Sequence, residues 1–139
     1  MKKFTSTLFI IFLIFSAKAL AADNDMVKRI SEGEESAKIT IIAYESLTCS
    51  YCANFHKDVY PELKKDFIDN GLVKIEFRHF PLDIAAFNAS KIAQCNNDGS
   101  SSIMNILYSG QKKWGRGKTP EEATGYLRKF LKGENFLHD

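Results

Sequence analysis

The chain has 139 residues, 45% of them hydrophobic and 12% aromatic, and a formal net charge of +2. That length holds one domain with a core of its own but not two, and the composition excludes a disordered chain. Lysines alternate with acids and form no basic stripe, which excludes a nucleic-acid-binding surface.

The N-terminus reads as an export signal. Lys2 and Lys3 form a basic start, and Leu8 to Phe15 is an unbroken apolar run. Ala17-Lys18-Ala19 and Ala19-Leu20-Ala21 are small-x-small cleavage patterns. Together these predict a signal peptide over residues 1–21. The run reaches only about half of the ~20 apolar residues that a membrane span needs. Removing 1–21 takes away Lys2, Lys3 and Lys18 and moves the formal charge from +2 to −1. The expectation is a domain over 22–139 with no stable membrane insertion after cleavage.

Asp23 to Lys38 is polar and acidic, with room for a short edge strand or a turn of helix. Ile39 to Tyr44 is β-branched and apolar, the pattern of a strand buried on both faces. Ser46 to Thr48 supply a turn. From Cys49 the period becomes helical: Cys49, Cys52, His56, Val59, Tyr60, Leu63 and Phe67 fall on one stripe. Pro61 should kink this helix or start a second segment, and Asn70-Gly71 should end it with a left-handed cap. Val73, Ile75 and Phe77 alternate with Lys74, Glu76 and Arg78, as in a half-covered strand. Strand, helix, strand within about forty residues predicts a βαβ unit with parallel pairing. Three helices follow. Ala85, Ala89, Ile92 and Ala93 face one way in the first. Ile103, Met104, Ile106 and Leu107 form the second, ending near Gly110. Thr119-Pro120-Glu121-Glu122 opens the third as a capping box, with Ala123, Leu127, Phe130 and Leu131 as its apolar face.

The chemistry concentrates at Cys49-Ser50-Tyr51-Cys52. Two cysteines two residues apart, where a strand hands over to a helix, form the pattern of a thiol–disulfide redox centre. An exported protein lives where disulfides persist. A Cys49–Cys52 bridge closes too small a loop to staple a fold, so it is better suited to opening and closing. The helix start lowers the pKa of Cys49 through unpaired N–H groups and the positive end of the dipole. Cys49 is then the exposed nucleophile, and Cys52, one turn deeper, the resolving thiol. Ser50 and Tyr51 carry hydroxyls able to hydrogen-bond the Cys49 thiolate; Tyr51 is equally suited to substrate contact. Cys95, beside Ile92, reads as a buried free cysteine. His56 reads as a core histidine and Trp114 as a packing residue, while His79 and His138 carry no pattern. No cofactor and no resident metal are expected. The other reading of the pair is a metal-binding or metallochaperone module using Cys49, Cys52 and a histidine such as His56. A third is an inactive gene fragment without a stable fold.

The run Tyr44 to His56 resembles the active-site segment of the DsbA-like thiol–disulfide oxidoreductases of the thioredoxin superfamily. Tyr60-Pro61-Glu62-Leu63 and Arg78 to Asp83 also resemble that family, and Ala89–Cys95 with Tyr108–Trp114 resemble its helical insertion. The resemblance implies an α/β fold: a thioredoxin-like βαβ unit with a helical insertion. It implies a periplasmic location and oxidation of reduced exported polypeptides through a mixed disulfide on Cys49. It also implies reoxidation by a membrane quinone-linked thiol reoxidase. Three departures stand out. The family usually has proline where Ser50 stands. It often has a buried carboxylate where Ala43 stands, with Glu45 as a stand-in on the same strand face. Its C-terminal β-hairpin and cis-proline loop find no match before Asp139, so the chain is expected to be C-terminally incomplete.

Overall fold

The computed structural model describes residues 27–136. The expected signal peptide over 1–21 and His138 lie outside the described residues. Three strands form one sheet: β1 (Ile30–Glu32), β2 (Ile39–Glu45) and β3 (Val73–His79). Their order is β1-β3-β2, with β1 antiparallel and β2 parallel to β3. The parallel pair is the expected βαβ unit. β1 is the short edge strand foreseen in the polar leader. Its flank is held by the turn at residues 97–99: the Ser31 amide donates to the Gly99 carbonyl at 3.1 Å, and the Lys28 amide donates to Asn97 Oδ1 at 2.6 Å.

The helical crossover alternates between two windings. It starts as α1 (Ser50–Asn54), widens to a π-helical turn over Phe55–Val59, and resumes as α2 (Tyr60–Leu63) before a second π turn over Lys64–Ile68. Pro61 accounts for the first widening. It has no N–H, and its ring would strike the carbonyl four residues back. The Tyr60 amide reaches back to Phe55 instead, five residues away. Each wide turn shifts the buried stripe. His56, Tyr60 and Ile68 are buried, whereas Val59 and Phe67 face solvent, contrary to the uniform stripe read from the sequence. Gly71 closes the segment at φ +70°, the left-handed conformation expected of it.

After β3 come α3 (Ile84–Ala93), α4 (Ser102–Ser109), α5 (Gln111–Trp114) and α6 (Pro120–Gly133). The capping box opens α6 as predicted. Thr119 Oγ1 accepts from the Glu122 amide at 3.2 Å, and the Glu122 carboxylate reaches the Lys118 amide at 2.8 Å. Trp114 is fully buried, and its indole N–H donates to the Leu107 carbonyl at 2.8 Å. No helix among the described residues is long and apolar enough to cross a membrane.

The core lies on one side of the sheet. Val73, Ile75 and Phe77 are buried against the crossover and the inserted helices, with Ile41 and Ala43 of β2 partly covered beside them. The other face carries Thr40, Ile42 and Tyr44 in register with Lys74, Glu76 and Arg78. Here the expectation for β2 fails. It is not buried on both faces: Ile42 is 45% and Tyr44 61% exposed. β2 is an edge strand with one uncovered face among the described residues, so a near-continuous apolar run need not mark a central strand. Cys95 is a second correction. The first helix of the insertion ends at Ala93, so Cys95 falls in the turn beyond it and is exposed, its thiol turned to Asn96 Oδ1.

Candidate redox site

The two cysteines sit where β2 hands over to α1. Cys49 is the N-cap residue, with extended backbone at φ −73° and ψ 120°, so the first amides of the helix are free to face its sulfur. Both cysteines are free thiols and half-buried. Their acidities diverge. The Cys52 backbone amide, with help from the Cys52 thiol and the Tyr51 amide, holds Cys49 below the ordinary thiol value of 9.0. Burial and the Glu45 charge oppose that shift without reversing it. For Cys52 burial dominates, and the neighbouring Cys49 and Glu45 add to it, pushing the thiol up to about 11. One sulfur is made a good thiolate and the other is kept protonated.

Glu45 lies beneath this pair. It ends β2 on the inner face and is buried. His56 Nε2 lies 2.7 Å from Glu45 Oε2, and the Tyr108 hydroxyl donates to the same oxygen at 3.2 Å. A carboxylate oxygen only accepts, so the His56 ring donates to it through Nε2, and His56 Nδ1 has no partner among the described residues. The His56 ring stacks on Tyr108 with centroids 4.3 Å apart and also leans on Phe77 and Tyr60. Burial pushes the Tyr108 phenol far above its usual range, and the Glu45 charge adds to the effect. His79 stands opposite Glu45 in the register, and burial pushes its imidazole below the usual value.

The loop between strand and helix is tied down from both sides. The Thr48 hydroxyl donates to Asp83 Oδ2 at 2.7 Å, while Asp83 Oδ1 accepts from the Ala86 amide and caps α3. The Phe80 amide donates to the Glu45 carbonyl at 2.7 Å. From the insertion, Gln111 Nε2 donates to the carbonyls of Leu47 and Cys49, each at 2.9 Å.

Several residues named from the sequence meet here and others do not. Cys49 and Cys52 come together, and the core histidine His56 is linked to them through Glu45, whose charge reaches both sulfurs. Ser50 and Tyr51 are exposed, Tyr51 by 82%, and neither hydroxyl makes a hydrogen bond among the described residues. What reaches Cys49 from Tyr51 is its main-chain amide. The metal reading needed a histidine beside the thiols, but His56 Nε2 is engaged by Glu45. Tyr108, Gln111 and Asp83 were not foreseen. No local spacing marks them; their one signal was that the segments from Arg78 to Asp83 and from Tyr108 to Trp114, which hold them, resemble the family. Glu45 had one signal, its position two residues beyond Ala43 on the same face of the strand.

Comparison with known proteins gives this arrangement a context. The family model described as Thioredoxin matches residues 25–135. A provisionally named protein-disulfide oxidoreductase of Rickettsia prowazekii is 35% identical over 94 residues, covering 66% of this chain and 33% of that protein. The chain thus spans about a third of the length of such curated relatives. The crystal structure of Wolbachia pipientis alpha-DsbA1 superposes with a TM-score of 0.68 at 28% identity, over 82% of this chain and 57% of that one. A protein-disulfide isomerase from Novosphingobium aromaticivorans gives the same TM-score at 18% identity, over 77% of this chain and 65% of that one, a likeness of fold alone. The α/β fold with a helical insertion, expected from the resemblance, is the fold observed. Since the family match runs through most of the described residues, the chain belongs to the thioredoxin family and within it is similar to the DsbA-like members.

Proposed function

We propose that this chain is a DsbA-type thiol–disulfide oxidoreductase that forms disulfides in reduced polypeptides outside the cytoplasm. The observation that carries the reading is the placement of two free thiols at the strand–helix junction, Cys49 at the extended N-cap of α1 and Cys52 one turn deeper, a geometry that lowers the pKa of Cys49 and pushes Cys52 up to about 11. In the oxidised protein Cys49 and Cys52 form a disulfide. A substrate thiolate attacks Cys49 Sγ, the Cys49–Cys52 bond breaks, and Cys52 leaves as a thiolate that takes up a proton. A second substrate thiolate attacks the substrate sulfur of the mixed disulfide. The substrate disulfide forms and Cys49 leaves as a thiolate. The substrate has lost two electrons and the dithiol has gained them. A stabilised Cys49 thiolate is a good leaving group and favours the reduced protein, so the pair acts as an oxidant.

Exposed apolar side chains border the dithiol. Tyr51 lies within it, and Phe80 and Leu82 lie on the loop bonded to Glu45 and Ser46. They suit an unfolded polypeptide better than a small thiol. The leader pattern over 1–21 supports export to the periplasm, where a membrane quinone-linked reoxidase would return the dithiol to the disulfide.

The test is oxidative refolding. Pre-oxidised protein, mixed with a reduced and denatured disulfide-containing enzyme, should restore that enzyme's activity, and Cys49→Ser should abolish the effect. If mature protein never cycles between dithiol and disulfide when trapped with an alkylating agent, the reading fails.

A further inference from the structure

The side chain of Gln111 is the link between the helical insertion and the dithiol. It begins α5 and reaches across to the active-site loop, where Nε2 donates to the carbonyls of Leu47 and Cys49, each at 2.9 Å. These carbonyls flank Thr48 and bracket the turn that presents Cys49. The Cys49 carbonyl also accepts the first helical bond of α1, from the Ala53 amide at 3.1 Å, so Gln111 adds a second donor to the oxygen on which the helix starts. Gln111 itself stands on a well-anchored base. Trp114, in the same turn of helix, is fully buried and bonded to Leu107.

We propose that Gln111 is a positioning residue that sets the acidity of Cys49 from the insertion. Two physical effects act in the same direction. The amide hydrogens draw off part of the negative charge that the Leu47 and Cys49 carbonyls present near the sulfur. The two bonds also hold Cys49 at the extended N-cap geometry that turns the Tyr51 and Cys52 amides toward its sulfur. Without them the turn loosens and the thiolate loses aligned donors. The Gln111 side chain bonds backbone carbonyls, so it acts through the backbone. The inference deepens the oxidoreductase reading and rests on the same dithiol, but its readout needs no turnover.

The experiment measures the pH dependence of Cys49 alkylation by iodoacetamide, in a background where Cys52 and Cys95 are alanine. Gln111→Met keeps length and helix preference but removes both donors. Below the inflection, alkylation should slow about three- to tenfold relative to the parent, the scale of one to two lost hydrogen bonds, and the inflection should move to higher pH. An unchanged profile in a folded Q111M protein would overturn the proposal. If Q111M does not fold, Gln111→Lys decides the matter. Lysine keeps donors at this position, so its profile should stand at or below the parent's, and a profile displaced upward would equally overturn the proposal. A Gln111-dependent profile in a protein that never oxidises a substrate would sink the oxidoreductase reading and leave this one standing. An active oxidant whose profile ignores Gln111 would do the reverse.

Discussion

Cys49 and Cys52 are three positions apart and carry opposite shifts. The cause is depth: the first turn of a helix offers amides to the residue at its cap, while the residue one turn in meets burial and two negative neighbours. Alkylation of the reduced protein should therefore show two separate inflections, the first below 9.0 from Cys49 and the second near 11 from Cys52. A single inflection near 9 for both, followed by mass spectrometry of each cysteine peptide, would contradict it. Glu45 acts on both sulfurs by its charge, and in both it is the smallest contribution named. Glu45→Gln keeps the shape and removes the charge. Both inflections should move to lower pH, with a few-fold faster alkylation of Cys49 in acid. His79 works on stability. Its imidazole is depressed below the usual 6.5 by burial, so the folded state binds this proton less readily than the unfolded one. Its contribution is present above 6.5 and is lost as the pH falls below that value.

At the scale of elements, the crossover helix shows how a single residue redirects a face. Pro61 forces the wide turn, and the wide turn sends Val59 outward while Tyr60 goes in. The sequence pattern could not reveal this, because a stripe is drawn on a constant period and a π turn changes the period locally. The caps were legible because their chemistry is local. Gly71 and the Thr119 box need only their own neighbours. Gly71→Ala should destabilise the protein by about 1 kcal/mol, since φ +70° is strained for any residue with a Cβ. Chemical denaturation reads this, and Gly125→Ala, in mid-helix with open space around it, should be neutral or mildly stabilising. Trp114→Ala removes a fully buried ring and an indole donor and should cost roughly 3–5 kcal/mol by the same measurement.

Across the whole molecule the sheet is asymmetric. The inner face carries Ile75 at full burial, while the outer face leaves Ile42 and Tyr44 open, with the Arg78 guanidinium 5.6 Å above the Tyr44 ring. Two isoleucines on neighbouring strands should therefore respond differently to truncation. Ile75→Ala should cost about 2–5 kcal/mol, whereas Ile42→Ala should cost less than about 1 kcal/mol. Equal losses in urea titrations would mean that the outer face is covered in solution. The aromatic cluster of His56, Tyr60, Phe77 and Tyr108 joins the crossover, the sheet and the insertion, so the site stands where three parts of the fold meet.

The sequence by itself determined the dithiol, its place at a strand–helix junction, the parallel βαβ pairing, the caps and the inserted helices. These follow from spacing and period, which are properties of neighbours along the chain. Around the thiols it pointed to Glu45 as a stand-in carboxylate and to His56 as a core histidine, and it was silent on their partners. That Glu45 lies beside His56 and Tyr108, that Gln111 holds the loop and that β2 has a bare face were decided by how distant segments pack. Hydrogen bonds and burial between residues some sixty positions apart depend on where the chain returns, and no local pattern encodes that.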